Sequence, residues 1–148
     1  MNILNISALF DRDLKRLKTE IELYKNESNL WIIDREIANS AGNLCLHLIG
    51  NLNTFVGLTL GKIDYVRNRE LEFSNKNIPK TELIAKIEAT QEVVRTSLQD
   101  FSIADLEKEF PLIVFEKATS TEYMLIHLTT HLAYHLGQIN YHRRILDK

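Results

Sequence analysis

Only five glycines and two prolines occur in the 148 residues of this chain. These are the residues that most readily end or kink a helix, so their scarcity leaves long stretches free to be helical. Four stretches carry apolar residues three or four apart, the repeat that lines one face of a helix. The first runs from about Ile3 to Tyr24, with Ile6, Phe10, Leu14, Leu17 and Ile21 inward and Asp11, Lys15, Lys18 and Glu22 outward. A polar loop holding Trp31 follows. The second helix starts near Asn39 or Ser40, either of which can accept from the free amides of a first turn. It extends to about Leu60, with Gly61 as its stop.

Residues 62–80, KIDYVRNRELEFSNKNIPK, read as a charged connection. Pro79 stands near the start of the third helix, whose stripe is Leu83, Ile84, Ile87, Val94 and Leu98. From Phe101 to Lys117 the pattern breaks down. Ser102 and Asp105 have the spacing to open one short helical turn, and PLIVFEK looks extended. Thr119 and Glu122 have the spacing of a capping box, and the fourth helix runs from there to about Leu146. The expected architecture is an all-α four-helix bundle, one domain over residues 1–148, with a short irregular segment before the last helix.

Four of the five histidines fall in that last helix, at 127, 131, 135 and 142. At about 100° per residue, and with His127 as zero, His131 lies near 40°, His135 near 80° and His142 near 60°. Leu128, Leu132, Leu136 and Ile139 occupy the adjoining arc and must face the core. The histidines therefore border the buried stripe. An i,i+4 histidine pair can present two imidazole nitrogens to one cation. His47, the remaining histidine, shares a face of the second helix with Leu44, Asn51, Phe55 and Leu58, so it also points inward as a third candidate ligand. Spacing does not choose the pair among His127, His131 and His135. His142, one turn from the helix end, is expected to be exposed.

Charge and composition narrow the partners. The net charge is −2 and the pI about 6.2, which offers no basic footprint for nucleic acid or an anionic membrane. No run approaches the roughly 20 apolar residues of a membrane span. Asp11, Arg12 and Asp13 interrupt the opening run too early for a signal-peptide core. The lone Cys45 fits a reducing compartment and a packed, small apolar role, so a cytoplasmic protein is expected. There is no Glu-x-x-His for a di-iron site, no His-Glu-x-x-His, no phosphate loop and no nucleophile elbow.

The run HLTTHLAYHLGQINYHRR resembles the closing helix of the DinB-like proteins, a superfamily that includes YfiT-like metal-dependent hydrolases and thiol-dependent transferases. HLIGNLNTF resembles the family segment that supplies a first histidine, and GKIDYVRNRELEF resembles a subgroup of uncharacterised function. The resemblance covers most of the chain and implies a metal triad of His47, His131 and His135 around zinc, nickel or a similar divalent ion. It places His127 beside the pair as a supporting group or polar wall. The family commonly has Arg where this chain has Leu136, which removes a cation of use to an anionic substrate. The resemblance further implies a homodimer and a small-molecule substrate, with water or a low-molecular-weight thiol such as bacillithiol as the nucleophile.

Other residues carry two readings each. Gln138 and Asn51 could hydrogen-bond the free ring nitrogen of a metal-binding histidine, or only satisfy backbone and water. Tyr134 could donate a proton near the metal, or simply sit at the bundle edge. Arg67 and Arg69 could reach an anionic substrate, although a solvated or salt-bridged loop is the plainer role. The competing class as a whole is a non-catalytic module that binds a small ligand or partner, with a weak or vestigial metal site.

Overall fold

The computed structural model describes residues 2–148. It holds six α-helices, four of them long, and no strand among the described residues. Helix α1, Ile3–Glu22, opens on Asn2, whose side chain accepts from the Leu4 amide at 2.9 Å. Its buried face is the one expected, with one addition: Asp13 is also buried and accepts from Arg12 and Arg16 at 2.8 and 3.2 Å. Tyr24 lies just past the helix end and is buried. The loop expected around Trp31 is a 3₁₀ turn, Glu27–Trp31, that buries Leu30 and Trp31.

Helix α2, Ala41–Leu52, is capped by Ser40, and every one of its 12 residues is buried. The only polar side chains in it are Asn43, Cys45, His47 and Asn51, which suits a helix enclosed on all sides. The chain continues as a π-helical turn, Asn53–Leu58, so the coil runs nearly to Leu60 in a different winding. Leu58, expected inward, is exposed because that winding rotates it off the α-helical face. Gly61 is not the left-handed stop: no glycine has positive φ, and the left-handed residue is Lys62 at φ 55°. What Gly61 permits is close approach, since a Cβ there would lie 2.0 Å from Ser97 Oγ.

The charged connection contains a further helix, α3, Arg69–Ser74, capped by Asn68 and carrying Glu70 and Glu72 in its first turn. Six residues are too few to show a hydrophobic period, but the cap and the acids both favour a helix start. Helix α4, Lys80–Leu98, buries Leu83, Ile87, Val94 and Leu98, with Ile84 half-buried. Ser102 and Asp105 open the expected short turn, α5, Ile103–Glu107, and do so as a capping box. The apolar run after it pairs with no strand; Leu112, Ile113 and Val114 are exposed, and one isolated bridge joins Glu109 to Ser120. Helix α6, Thr121–Leu146, begins one residue later than the Thr119–Glu122 spacing implies, with Ser120 Oγ accepting the Tyr123 amide at 3.1 Å.

Both α1 and α2 pack on α4 and on α6, and one continuous core of leucines, isoleucines and aromatics joins them. No helix among the described residues is long and apolar enough to cross a membrane. Cys45 is fully buried in that core, as its small apolar role requires. His142 is also buried, which corrects its expected exposure. The loop after α1 covers it: His142 Nε2 donates to the Ile32 carbonyl at 2.8 Å, and Nδ1 accepts from the Tyr24 hydroxyl at 2.7 Å. Because a carbonyl can only accept, those two bonds assign the tautomer.

Candidate metal centre

Helix α2 and helix α6 bring His47, His131 and His135 together. Each offers one ligand nitrogen, and the three nitrogens lie within 4.8 Å of one another. His47 Nε2 is 3.2 Å from His131 Nε2. Two nitrogens bound at 2.0–2.1 Å to a tetrahedral zinc ion stand about 3.3 Å apart, so this pair is already at ligand spacing.

The far nitrogens of two rings are anchored. His47 Nδ1 is 3.1 Å from Glu72 Oε1, and His135 Nδ1 donates to Gln138 Oε1 at 2.6 Å. His131 Nδ1 is buried with no hydrogen-bond partner, as is Asn51 Oδ1 one turn beyond His47. Burial holds the His47 imidazolium pKa below the ordinary histidine range, with the Glu72 bond opposing only in part. Burial pushes His131 down further, to about 4, helped by the neighbouring His135, His47, His127 and Arg67. His47 and His131 are therefore neutral near pH 7, and the His47–Glu72 contact is a hydrogen bond rather than an ion pair. Neutral imidazoles with ring nitrogens gathered this closely fit a divalent cation.

Glu72 is the residue that sequence reasoning missed. It is buried, and Arg67 grips it with two bonds, Nε to Oε2 at 2.8 Å and an Nη to Oε1 at 2.9 Å. Asn43, one turn before His47, donates to the Glu72 and Asn75 carbonyls at 2.9 and 2.8 Å and so fastens α3 to α2. Arg67 is thus salt-bridged within the protein. Arg69 lies over the Phe73 ring at 5.6 Å, and Phe73 in turn contacts His47 with ring centres 5.0 Å apart.

The remaining candidates take other places. His127 stacks on His131 with centroids 6.1 Å apart and meets the Phe115 ring edge-on at 4.8 Å, outside the ligand group. Tyr134 sits 5.2 Å from the His135 ring, largely exposed. A cavity of ≈490 Å³ opens at His135 and is lined by Ile37, Leu44, Tyr134 and Tyr141, with Asn39 and Gln138 among its polar lining. Glu36 is the one acidic residue among its lining, and no lysine or arginine lines it.

The family described as "Protein of unknown function (DUF1572)" matches residues 5–148. The chain belongs to it. DUF1572 sits in the DinB/YfiT-like group, in keeping with the closing-helix resemblance. Among curated proteins, none matches this DUF1572 chain.

Proposed function

We propose that this DUF1572 chain is a metal-dependent enzyme with a divalent ion, zinc or nickel, on His47, His131 and His135. The observation that carries the reading is the convergence of three ligand nitrogens within 4.8 Å, two of them on rings that burial keeps neutral. On this reading the four long helices form a DinB/YfiT-type bundle, a single cytoplasmic domain that works as a homodimer. A divalent ion so held would supply Lewis acidity, which lowers the pKa of a bound thiol or water molecule toward neutral pH.

The chain's own residues favour thiol transfer over hydrolysis. Both oxygens of Glu72 are engaged, with Arg67 and His47 Nδ1, so the carboxylate beside the triad is not free to take a proton from water. The cavity at His135 would admit the substrate. Its apolar and aromatic wall, with Glu36 as its one acidic group, suits an uncharged or cationic small molecule with an apolar body.

Elemental analysis of protein purified without a histidine tag, after incubation with zinc or nickel, tests the site. The expected result is about one ion per chain, lost in His131→Ala. Metal-loaded protein is then assayed for conjugation of a low-molecular-weight thiol to uncharged electrophiles and for ester and amide hydrolysis. A wild-type protein that takes up no metal, or a His131→Ala variant that binds it equally well, overturns the reading.

A further inference from the structure

A buried carboxylate needs a reason to be where it is. Glu72 is 6% exposed, on a six-residue helix that contributes little else to the core. An ion pair in such a place usually adds no more stability than apolar groups of the same volume would. Its surroundings are arranged around the carboxylate group. Arg67 engages both oxygens, Asn43 holds the Glu72 carbonyl, and position 50 is glycine, where a Cβ would stand 2.0 Å from Glu72 Oε2. All three features serve to place one oxygen, Oε1, 3.1 Å from His47 Nδ1.

That oxygen, held by a guanidinium, can only accept. The Nδ1 of His47 must therefore carry the ring proton, and the Nε2 lone pair is left facing His131 Nε2 at 3.2 Å. In a histidine free to choose, the two neutral tautomers compete, and only one of them can offer Nε2 to a cation. Donation to a carboxylate also fixes the ring plane and makes the distal nitrogen a better donor to a metal.

We propose that Arg67, Glu72 and Asn43 are positioning residues that deliver His47 to the site as a single tautomer, protonated on Nδ1 and presenting Nε2. Arg67 holds the carboxylate in place, and Asn43 locks the α3 backbone that carries it. The consequence for metal affinity rests on the proposed three-histidine site, whereas the consequence for the tautomer does not.

The test compares wild type with Glu72→Gln, which keeps shape and removes charge, and with Arg67→Met, which removes the grip. Long-range proton–nitrogen correlation spectra of the metal-free, histidine-labelled protein report the tautomer directly. Wild-type His47 is expected to show a protonated Nδ1 alone, and Glu72→Gln a mixture of tautomers. Zinc affinity, measured by competition with a chromophoric chelator, is expected to fall about 10–100-fold in Glu72→Gln. Arg67→Met is expected to lose affinity in the same direction but by less. Matching circular dichroism shows that each variant folds, and if Glu72→Gln does not, Arg67→Met carries the test. If wild type binds zinc and neither variant changes affinity or tautomer, the positioning role is wrong. If wild type binds no zinc, the enzyme reading fails, and the tautomer of His47 still decides this one. Wild-type His47 protonated on Nε2 overturns it outright.

Discussion

Gly50 lies on α2 against the side chain of Glu72, and alanine there tests how firmly that carboxylate is held. A Cβ at position 50 would stand 2.0 Å from Oε2 and 2.6 Å from Cδ. The end of a glutamate can often swing away at little cost. Here, relief to ordinary contact needs a shift of more than about 1 Å, which breaks the bonds to Arg67 or to His47. Losing one hydrogen bond to a charged group costs about 1.5–3 kcal/mol. Against that, replacing glycine within a helix gains about 0.5–1 kcal/mol. The net expectation for Gly50→Ala is a loss of about 0.5–2.5 kcal/mol, a fall in Tm of roughly 2–8 °C. Gly137, in the middle of α6, is the control: a Cβ there meets nothing within 4 Å. Gly137→Ala is expected to gain the propensity term alone, about 0.5–1 kcal/mol. Calorimetry and urea unfolding of the metal-free proteins measure both. The same substitution should thus move stability in opposite directions. If Gly50→Ala is stabilised like Gly137→Ala, Glu72 moves freely and the reasoning about its placement fails.

Two further expectations concern the buried titratable groups. His47, His131 and His142 are each held below the ordinary histidine range, chiefly by burial. With folded pKa values below the unfolded value near 6.5, the unfolded chain takes up protons that the folded one rejects. Stability of the metal-free protein is therefore full above about pH 6.5 and falls as pH drops through it, by up to about 1.4 kcal/mol per pH unit for each imidazole. For His131 the decline continues toward about 4. Urea midpoints at pH 7.5, 6 and 5 measure it, and a flat profile contradicts the neutral, buried imidazoles. The Cys45 thiol is fully buried and pushed up to about 12. It should resist a thiol-reactive dye at pH 8 in the folded protein and react fully in denaturant; rapid labelling of native protein would show α2 to be more accessible than described.

The parts of this molecule legible in its sequence are those governed by local repetition. The apolar stripes of α1 and α4 and the core-facing leucines of α6 follow from the helical period alone, and the residues it named are buried, Ile84 excepted as half-buried. The histidine ladder is legible for the same reason, since an i,i+4 step leaves His131 and His135 on one arc. Other features depend on what packs against a residue, and no period encodes that. His142 shares the ladder's arc, yet its burial comes from Tyr24 and Ile32, more than a hundred residues away. Glu72 looks like one acid among many in a charged stretch, and only the fold of α3 onto Asn43 turns it toward His47. The short α3 escaped notice because six residues complete fewer than two turns. The π winding after Leu52 leaves no compositional mark, so the α-helical period puts Leu58 inward where the structure exposes it.

Helix α2 is enclosed along its whole length, whereas α6 shows Tyr134, Gly137, Gln138 and Tyr141 to solvent. The two walls of the histidine cluster therefore belong to regions of different protection against local opening. Amides of α2 are expected to exchange with solvent water more slowly than those on the exposed face of α6, because their helix is buried all round. His47 therefore stands on the enclosed wall of the cluster, and His135 on the wall that borders the open cavity and is the first a solute from solvent would meet.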